Sequence, residues 1–186
     1  MMFETLPAIP LKLEEFPHIT EDEYKRLLMS IQSDDKKLMT VILWHLGLRI
    51  SEVLNLTAND LIKKQDGYYI RIKRLKKRKE TIDNIPIPVE LANAIEKYIV
   101  MKGIKPDEKL FKMTRINAFE FYRRLGKKIL GRSIHPHMFR HGRVYQLIKQ
   151  GVPALLIVKL LGWSSLSVVL RYYHPTPDDI REVLKK

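Results

Sequence analysis

The chain has 186 residues, 34 of them basic and 21 acidic, for a formal net charge of +13. That length suits one ordinary domain, or one domain with a leader, and allows a core without covalent staples. Having no cysteine excludes disulfides and thiolate metal sites, no apolar run approaches the roughly 18 residues of a membrane span, the start Met1-Met2-Phe3-Glu4 is unlike a secretion signal, and the basic excess favours a polyanion, most often nucleic acid.

Residues 1–18 carry Pro7, Pro10 and Pro17 with little periodicity and read as an extended leader or linker. Thr20-Glu21-Asp22-Glu23 is a capping box, so a helix follows with Tyr24, Leu27, Leu28 and Ile31 on one face. Ser33-Asp34-Asp35 starts a second helix, with Leu38, Val41, Ile42 and His45 inside and Gly47 ending it. A short helix is expected over Ile50 to Leu56, which places Arg49 at a helix N-terminus, where free backbone N–H groups also attract anions. Glu52, three residues on, suits an orienting partner for Arg49 better than a chemical role.

From Gly67 the period changes to two. Tyr68, Ile70 and Ile72 alternate with Tyr69, Arg71 and Lys73 as a strand, Leu75 to Lys79 is a basic turn, and Thr81 to Pro88 is a return strand whose prolines suit an edge. Helices follow over Pro88 to Met101 (Leu91, Ile95, Tyr98 and Ile99 inward) and from Thr114 to Leu130. On the second of these, Arg123, Arg124, Lys127 and Lys128 form a basic face: either a solvated surface or a contact for a DNA backbone. The next helix carries His137 and ends at Gly151; Val152-Pro153 opens another that ends at Gly162, exposing Trp163. Val168, Val169 and Tyr172 are expected on a further helix, and Asp178 to Lys186 on a short terminal one. The class is mainly α with a small antiparallel hairpin.

The helix from His137 is chemically odd. Val144, Leu147 and Ile148 mark its apolar face, yet three, four and seven residues before Val144 stand His141, Arg140 and His137. A guanidinium and two imidazoles continue a stripe that should face the core, where an unpaired charge is costly. A phosphate would satisfy them, because arginine donates to phosphate oxygens in a planar fork. Nine and ten residues beyond Trp163 stand Tyr172 and Tyr173. A phenol is a weak nucleophile near its free pKa of about 10, but nearby cations favour the phenolate.

His137-x-x-Arg140-His141, then Leu161-Gly162-Trp163-Ser164-Ser165, then a tyrosine nine residues past Trp163, resembles the tyrosine recombinases of the phage-integrase family. Gly47-Leu48-Arg49-Ile50-Ser51-Glu52-Val53, followed by Leu54-Asn55-Leu56, is similar to that family's first arginine box. The likeness covers roughly residues 18 to 180, with three separated motifs in the family's order. It implies the family's catalytic-domain fold and site-specific cutting and rejoining of DNA through a 3′-phosphotyrosine link, with no metal or cofactor. By position, Tyr172 would be the nucleophile, with Tyr173 left to packing or DNA contact. Arg49, Arg140 and Trp163 would hold non-bridging oxygens, and His137 would be the base. Tryptophan stands where the family usually has histidine; it can donate an N–H but cannot carry a proton. The family's hairpin lysine acts as general acid; Lys76 is the first choice, with Lys77 and then Lys73 behind it, because this hairpin departs from the usual Gly-Lys turn. Lys73, Lys77, Arg78, Arg123, Arg124 and Lys127 are candidate DNA contacts. His141 reads as packing or hydrogen-bonding support.

The resemblance also implies double-stranded DNA as partner, self-association on it as a dimer or tetramer, and a cytoplasmic location. The divisions are a leader or linker over 1–18, a catalytic domain over 19–175, and a tail helix over 176–186 that docks on its own domain or on a neighbouring protomer. The family's usual N-terminal core-binding domain is not recognisable ahead of these motifs. Other readings rank lower. A non-enzymatic DNA-binding regulator explains the charge but not the polar stripe. A zinc hydrolase using His137 and His141 lacks the internal glutamate and a certain third ligand. A type IB topoisomerase uses a similar set of catalytic residues but fits the motifs less well.

Overall fold

A computed structural model describes residues 15–76 and 79–185, apart from the side chains of Leu75 and Lys76. The helices are α1 (Glu21–Ser30), α2 (Asp34–Leu46) and α3 (Ile50–Leu54), then α4 (Val89–Lys102), α5 (Arg115–Leu130), α6 (Pro136–Lys149), α7 (Ala154–Leu161), α8 (Leu166–Leu170) and α9 (Pro177–Leu184). Between α3 and α4 lie a 3-10 turn (Ala58–Asp60) and strands β1 (Leu61–Lys64), β2 (Gly67–Lys76) and β3 (Lys79–Ile87). The mainly helical class with a small antiparallel sheet is the one expected. No helix among the described residues is long and apolar enough to cross a membrane.

Local chemistry sets the boundaries. Glu23 N–H donates to Thr20 Oγ1 at 3.2 Å and Thr20 N–H donates to Glu23 Oε2 at 2.9 Å, closing the capping box that starts α1. Thr114 caps α5 by accepting from Asn117 N–H at 3.1 Å. Gly47 ends α2 at φ 58°, and there a Cβ would also meet Leu161 Cδ2 at 2.6 Å. Glycine is therefore needed at that position for both conformation and space.

β2 runs between β1 and β3, antiparallel to each. The strands reach further into the basic turn than expected: β2 continues through Lys76, and β3 resumes at Lys79 opposite it. β1, with the sequence Leu-Ile-Lys-Lys, was not expected at all; it is short and half polar, with little period to read. Pro86 sits opposite Tyr69 on the edge strand β3, the kind of strand where a residue without an N–H is tolerated. Ile70 and Ile72 point inward as the alternation requires, and the same parity buries Arg74 completely.

The apolar side chains form two clusters, and α6 runs through both. Met138 and Phe139, near its start, belong to the larger cluster with Leu27, Leu43, Val53, Ile95 and Tyr122. Val144 and Leu147, further along, belong to a smaller one with Ile157, Leu161, Val169 and Tyr172. The residues between, Arg140 to Arg143, lie at the seam. Gly142 lets the entering chain cross there: a Cβ would stand 1.9 Å from Ile19 O and 2.9 Å from Trp44 Cζ3.

Four expectations need correction. His45 is exposed, because Leu43, Trp44 and Leu46 take the buried side of that turn. The helix after Arg49 stops at Leu54, two residues short of Leu56. α8 ends at Leu170, so Tyr172 stands in the turn beyond it, with its N–H donating to Val169 O at 3.0 Å. Residues 15–18, placed with the leader, include Phe16 and His18, which pack on the domain; Phe16 N–H donates to Tyr145 Oη at 2.9 Å. Residues 1–14 of that leader lie outside the described residues.

Replacing a helix-interior glycine by alanine ordinarily gains about 1 kcal/mol. At Gly142 the contact with Ile19 O reverses the sign. Gly142→Ala is expected to destabilise the domain by about 1–3 kcal/mol, read as a lower urea midpoint with an unchanged slope.

Candidate active site

The stripe on α6 divides by depth. Arg140 is buried, His141 is half-buried, and His137 keeps an exposed edge. Arg140 Nη1 donates to Gly47 O at 2.7 Å and Nη2 to Leu161 O at 3.0 Å, and its guanidinium lies 5.2 Å from the Trp163 ring. Two carbonyls at chain reversals thus receive a buried charge, but neither neutralises it. Burial and the nearby Arg49 charge pull the Arg140 pKa down from the usual arginine range.

Arg49 stands at the N-cap of α3, partly open to solvent. Its N–H donates to Glu52 Oε2 at 2.8 Å and its Nη1 to Glu52 Oε1 at 3.0 Å, so Glu52 holds both backbone and side chain. The buried Glu52 carboxylate also lies 3.7 Å from Arg74 Nη1. Arg74 donates to Leu161 O at 2.6 Å and Leu160 O at 2.7 Å, and its Nε faces Asp83 Oδ2 at 2.6 Å as an ion pair. Leu161 O therefore accepts from two buried arginines. Gly162 follows at φ 65°, where a Cβ would meet the Arg74 guanidinium at 2.5 Å. Glycine is required there because a cation fills the space against the α7 terminus.

Arg49, His137, Arg140, Trp163 and Tyr172 border one cleft of about 350 Å³, together with Phe16, His141, Val168 and Arg171. The Tyr172 ring packs against Trp163 at 5.7 Å, Phe16 at 4.8 Å and Tyr145 at 5.2 Å. Its hydroxyl lies 2.6 Å from His141 Nδ1. Around the cleft Arg49, Arg74 and Arg140 face two carboxylates, Glu52 and Asp83. The surplus is positive, as an anion site requires.

This arrangement of chemistry from four distant segments agrees with comparison to known proteins. The profile of the phage integrase family matches residues 17–178. The chain belongs to that family. It is 30% identical over 181 residues to tyrosine recombinase XerA of Saccharolobus solfataricus, covering 96% of this chain and 60% of the relative. It resembles the Tn1549 transposon integrase, solved in complex with transposon right-end DNA, at 25% identity and TM-score 0.72, covering 90% of this chain and 65% of that one. It also shares the fold of the catalytic domain of bacteriophage HP1 integrase, at 21% identity and TM-score 0.70, covering 92% and 95%. The chain spans about 60–65% of the length of the curated relatives it matches.

Not every candidate meets in the cleft. The Lys76 side chain, and Lys77 and Arg78 entirely, lie outside the described residues. Lys73 is exposed on β2. Arg123, Arg124 and Lys127 are exposed on α5, where Arg123 and Arg124 share Glu120 at 2.7 and 3.0 Å, reducing that face's net charge. Arg74 and Phe16 join the site without having been expected there. Arg74 had a signal, since residue 74 has the inward parity of Ile70 and Ile72. Phe16 had none beyond its hydrophobicity, because its partners are more than a hundred residues away.

Tyr172 is pushed up to about 12, chiefly by burial, so the phenol is neutral at physiological pH. Burial first, then neighbouring cations and imidazoles, pulls His137 and His141 each to about 4. For His141 the folded pKa lies below the ordinary value near 6.5, so the native state binds fewer protons. Its contribution to stability is whole above about pH 6.5 and is lost as pH falls from there towards 4. Ring resonances of His141 are expected to titrate well below pH 6, and the melting temperature to fall between pH 7 and 4.5; a ring titrating near 6.5 contradicts this environment.

Removing Arg74 leaves Leu160 O without its arginine donor, takes one of two donors from Leu161 O, and deprives Asp83 and the buried Glu52 of a neighbouring cation. Arg74→Met is expected to destabilise by about 3–5 kcal/mol in urea unfolding, whereas the exposed Lys73→Met changes little.

Proposed function

We propose that this chain is a site-specific DNA recombinase that cuts and rejoins strands through a 3′-phosphotyrosyl intermediate. The observation that carries the reading is the convergence on one cleft of Arg49, Arg140 and the Tyr172 hydroxyl, in a member of the phage integrase family. Tyr172 Oη attacks the scissile phosphorus, the bond from phosphorus to the 5′ oxygen breaks, and the phosphotyrosyl ester conserves the bond energy for rejoining. Negative charge gathers on the non-bridging oxygens, which receive donors from Arg49, Arg140 and the Trp163 indole. Arg140 has N–H groups beyond the two given to carbonyls, since a guanidinium offers five. Because these donors are fixed before substrate arrives, each is worth about 3–4 kcal/mol in the transition state. His137 is the family's candidate base and Lys76 its candidate acid toward the leaving oxygen.

The partner is double-stranded DNA, as the basic surplus and the DNA complex of the Tn1549 integrase suggest. Self-association on DNA, as dimer or tetramer, belongs to the same reading. No residue of α9 is buried, and Ile180, Val183 and Leu184 stand 57%, 69% and 81% exposed, leaving an apolar face free for a neighbouring protomer. A cytoplasmic location, where such DNA is met, completes the proposal.

The test is denaturing electrophoresis after incubation with a pool of nicked duplexes randomised around the nick, in chelator. Wild type is expected to give a covalent protein–DNA adduct, Tyr172→Phe none, and Tyr173→Phe an adduct near wild-type yield. Arg49→Ala and Arg140→Ala are expected to slow adduct formation about 10²–10³-fold each. An adduct that survives Tyr172→Phe but not Tyr173→Phe moves the nucleophile by one residue; no adduct from wild type overturns the reading.

A further inference from the structure

The ring that touches the Tyr172 hydroxyl is not the one the family pattern selects as base. His141 Nδ1 lies 2.6 Å from Tyr172 Oη, and among the described residues this is the only side-chain hydrogen bond that the hydroxyl makes. His137 stands one helical turn earlier on α6, its ring edge-on to His141 at 4.6 Å and 89°. We propose that His141 accepts the phenolic proton of Tyr172 during strand cleavage and returns it on rejoining. This rests on the recombinase reading above.

Three observations support the assignment. The first is reach: a general base must lie within about 2.6–3.2 Å of the group it deprotonates or reach it through one water, and among the described residues only His141 makes that direct contact. The second is fixation. Phe16 stacks on the His141 ring at 5.0 Å and 3°, while Trp163 and Tyr145 hold the Tyr172 ring, so the pair is aligned before any phosphate enters. The third is protonation. The groups facing His141 are His137 and Arg140 on α6, His18 beside Phe16, His135 at the α6 N-cap, and Arg171 and Tyr172 after α8; Arg49 and Trp163 face it across the cleft. Burial, with the neighbouring imidazoles and Arg140 adding to it, keeps the imidazole neutral. The phenol therefore donates and Nδ1 accepts, which places the ring's own proton on Nε2.

The step balances as follows. The Oη–phosphorus bond forms as the bond from phosphorus to the 5′ oxygen breaks. The proton on Oη passes to His141 Nδ1, and the departing 5′ oxygen takes a proton from the general acid. In the empty cleft the transfer is uphill. A bound phosphodiester brings negative charge that stabilises the imidazolium, and bond formation to phosphorus makes the phenolic proton far more acidic. Rejoining runs the same transfers backward.

The test uses the full chain and the randomised nicked pool carrying sulfur in place of the bridging 5′ oxygen. Such a leaving group departs without an acid, so nucleophile activation sets the rate. His141→Ala is expected to slow single-turnover adduct formation about 10²–10⁴-fold, with unchanged DNA binding. It should also lose the acidic limb of the wild-type pH–rate profile and recover part of its rate in added imidazole. His141→Asn, which keeps a planar polar group against Phe16, is expected to show the same rate loss should the alanine variant fold poorly. If either variant cleaves within threefold of wild type, or is slow yet keeps the acidic limb and gains nothing from imidazole, the proposal is overturned. It is equally overturned if His137→Ala alone removes that limb. No adduct from wild type on either pool overturns the recombinase reading itself, a result distinguishable from a failure confined to the His141 variants.

Discussion

The carbonyl of Leu161 holds this domain's working parts together. It accepts from Arg140 on α6 and from Arg74 on β2, so one oxygen at the end of α7 joins the seam helix to the sheet. Each arginine has a second anchor: Gly47 O for Arg140, and Leu160 O with Asp83 for Arg74. Glu52 closes the circuit by holding Arg49 while lying near Arg74. Cations buried in this way are expensive to desolvate, and carbonyls repay only part of that cost. The arrangement makes sense if the residual positive potential is the point. An anion entering the cleft finds guanidinium groups already stripped of water and already aimed.

The same circuit explains why remote segments can share one chemistry. α6 passes from the larger apolar cluster to the smaller, and Arg140 and His141 occupy the crossing. In either cluster alone a buried arginine would lack partners. At the seam it meets two chain reversals, after α2 and after α7, whose carbonyls have no helical partner. The glycines at those reversals serve the same end. Gly47 leaves room for Leu161, and Gly162 leaves room for the Arg74 guanidinium.

Much of this was legible before any coordinates. Local rules carry far along a helix, so the capping box at Thr20 and the change of period at Gly67 mark the elements closely. His137, Arg140 and His141 stood out because charge on an apolar stripe conflicts with burial, whereas Arg49 and Tyr172 were marked by their resemblance to the family's motifs. What stayed hidden was hidden for a reason. β1 is too short and too polar to show a period. His45 has the spacing of an inward residue, but spacing cannot say how wide the buried arc of α2 is. Arg74 lay in plain parity with Ile72, yet arginine in a basic run reads as solvated unless its partners, Glu52 and the end of α7, are known. Phe16 is the extreme case: its role depends on His141 and Tyr172, contacts that no local pattern encodes.

Tyr172 shows how placement is achieved where secondary structure is weak. α8 has five residues, too few to hold a helix by its own hydrogen bonds, and Tyr172 lies beyond its end. Its position comes instead from ring packing: Phe16 arrives from the start of the described chain, Tyr145 from α6 and Trp163 from the α7 reversal. Such a clamp is strong in sum but made of separable contacts. It holds the hydroxyl against His141 through ring contacts from three separate segments, with no long helix to carry it. On the proposed chemistry, in which Tyr172 forms and later breaks a bond to DNA, such separable contacts suit the nucleophile.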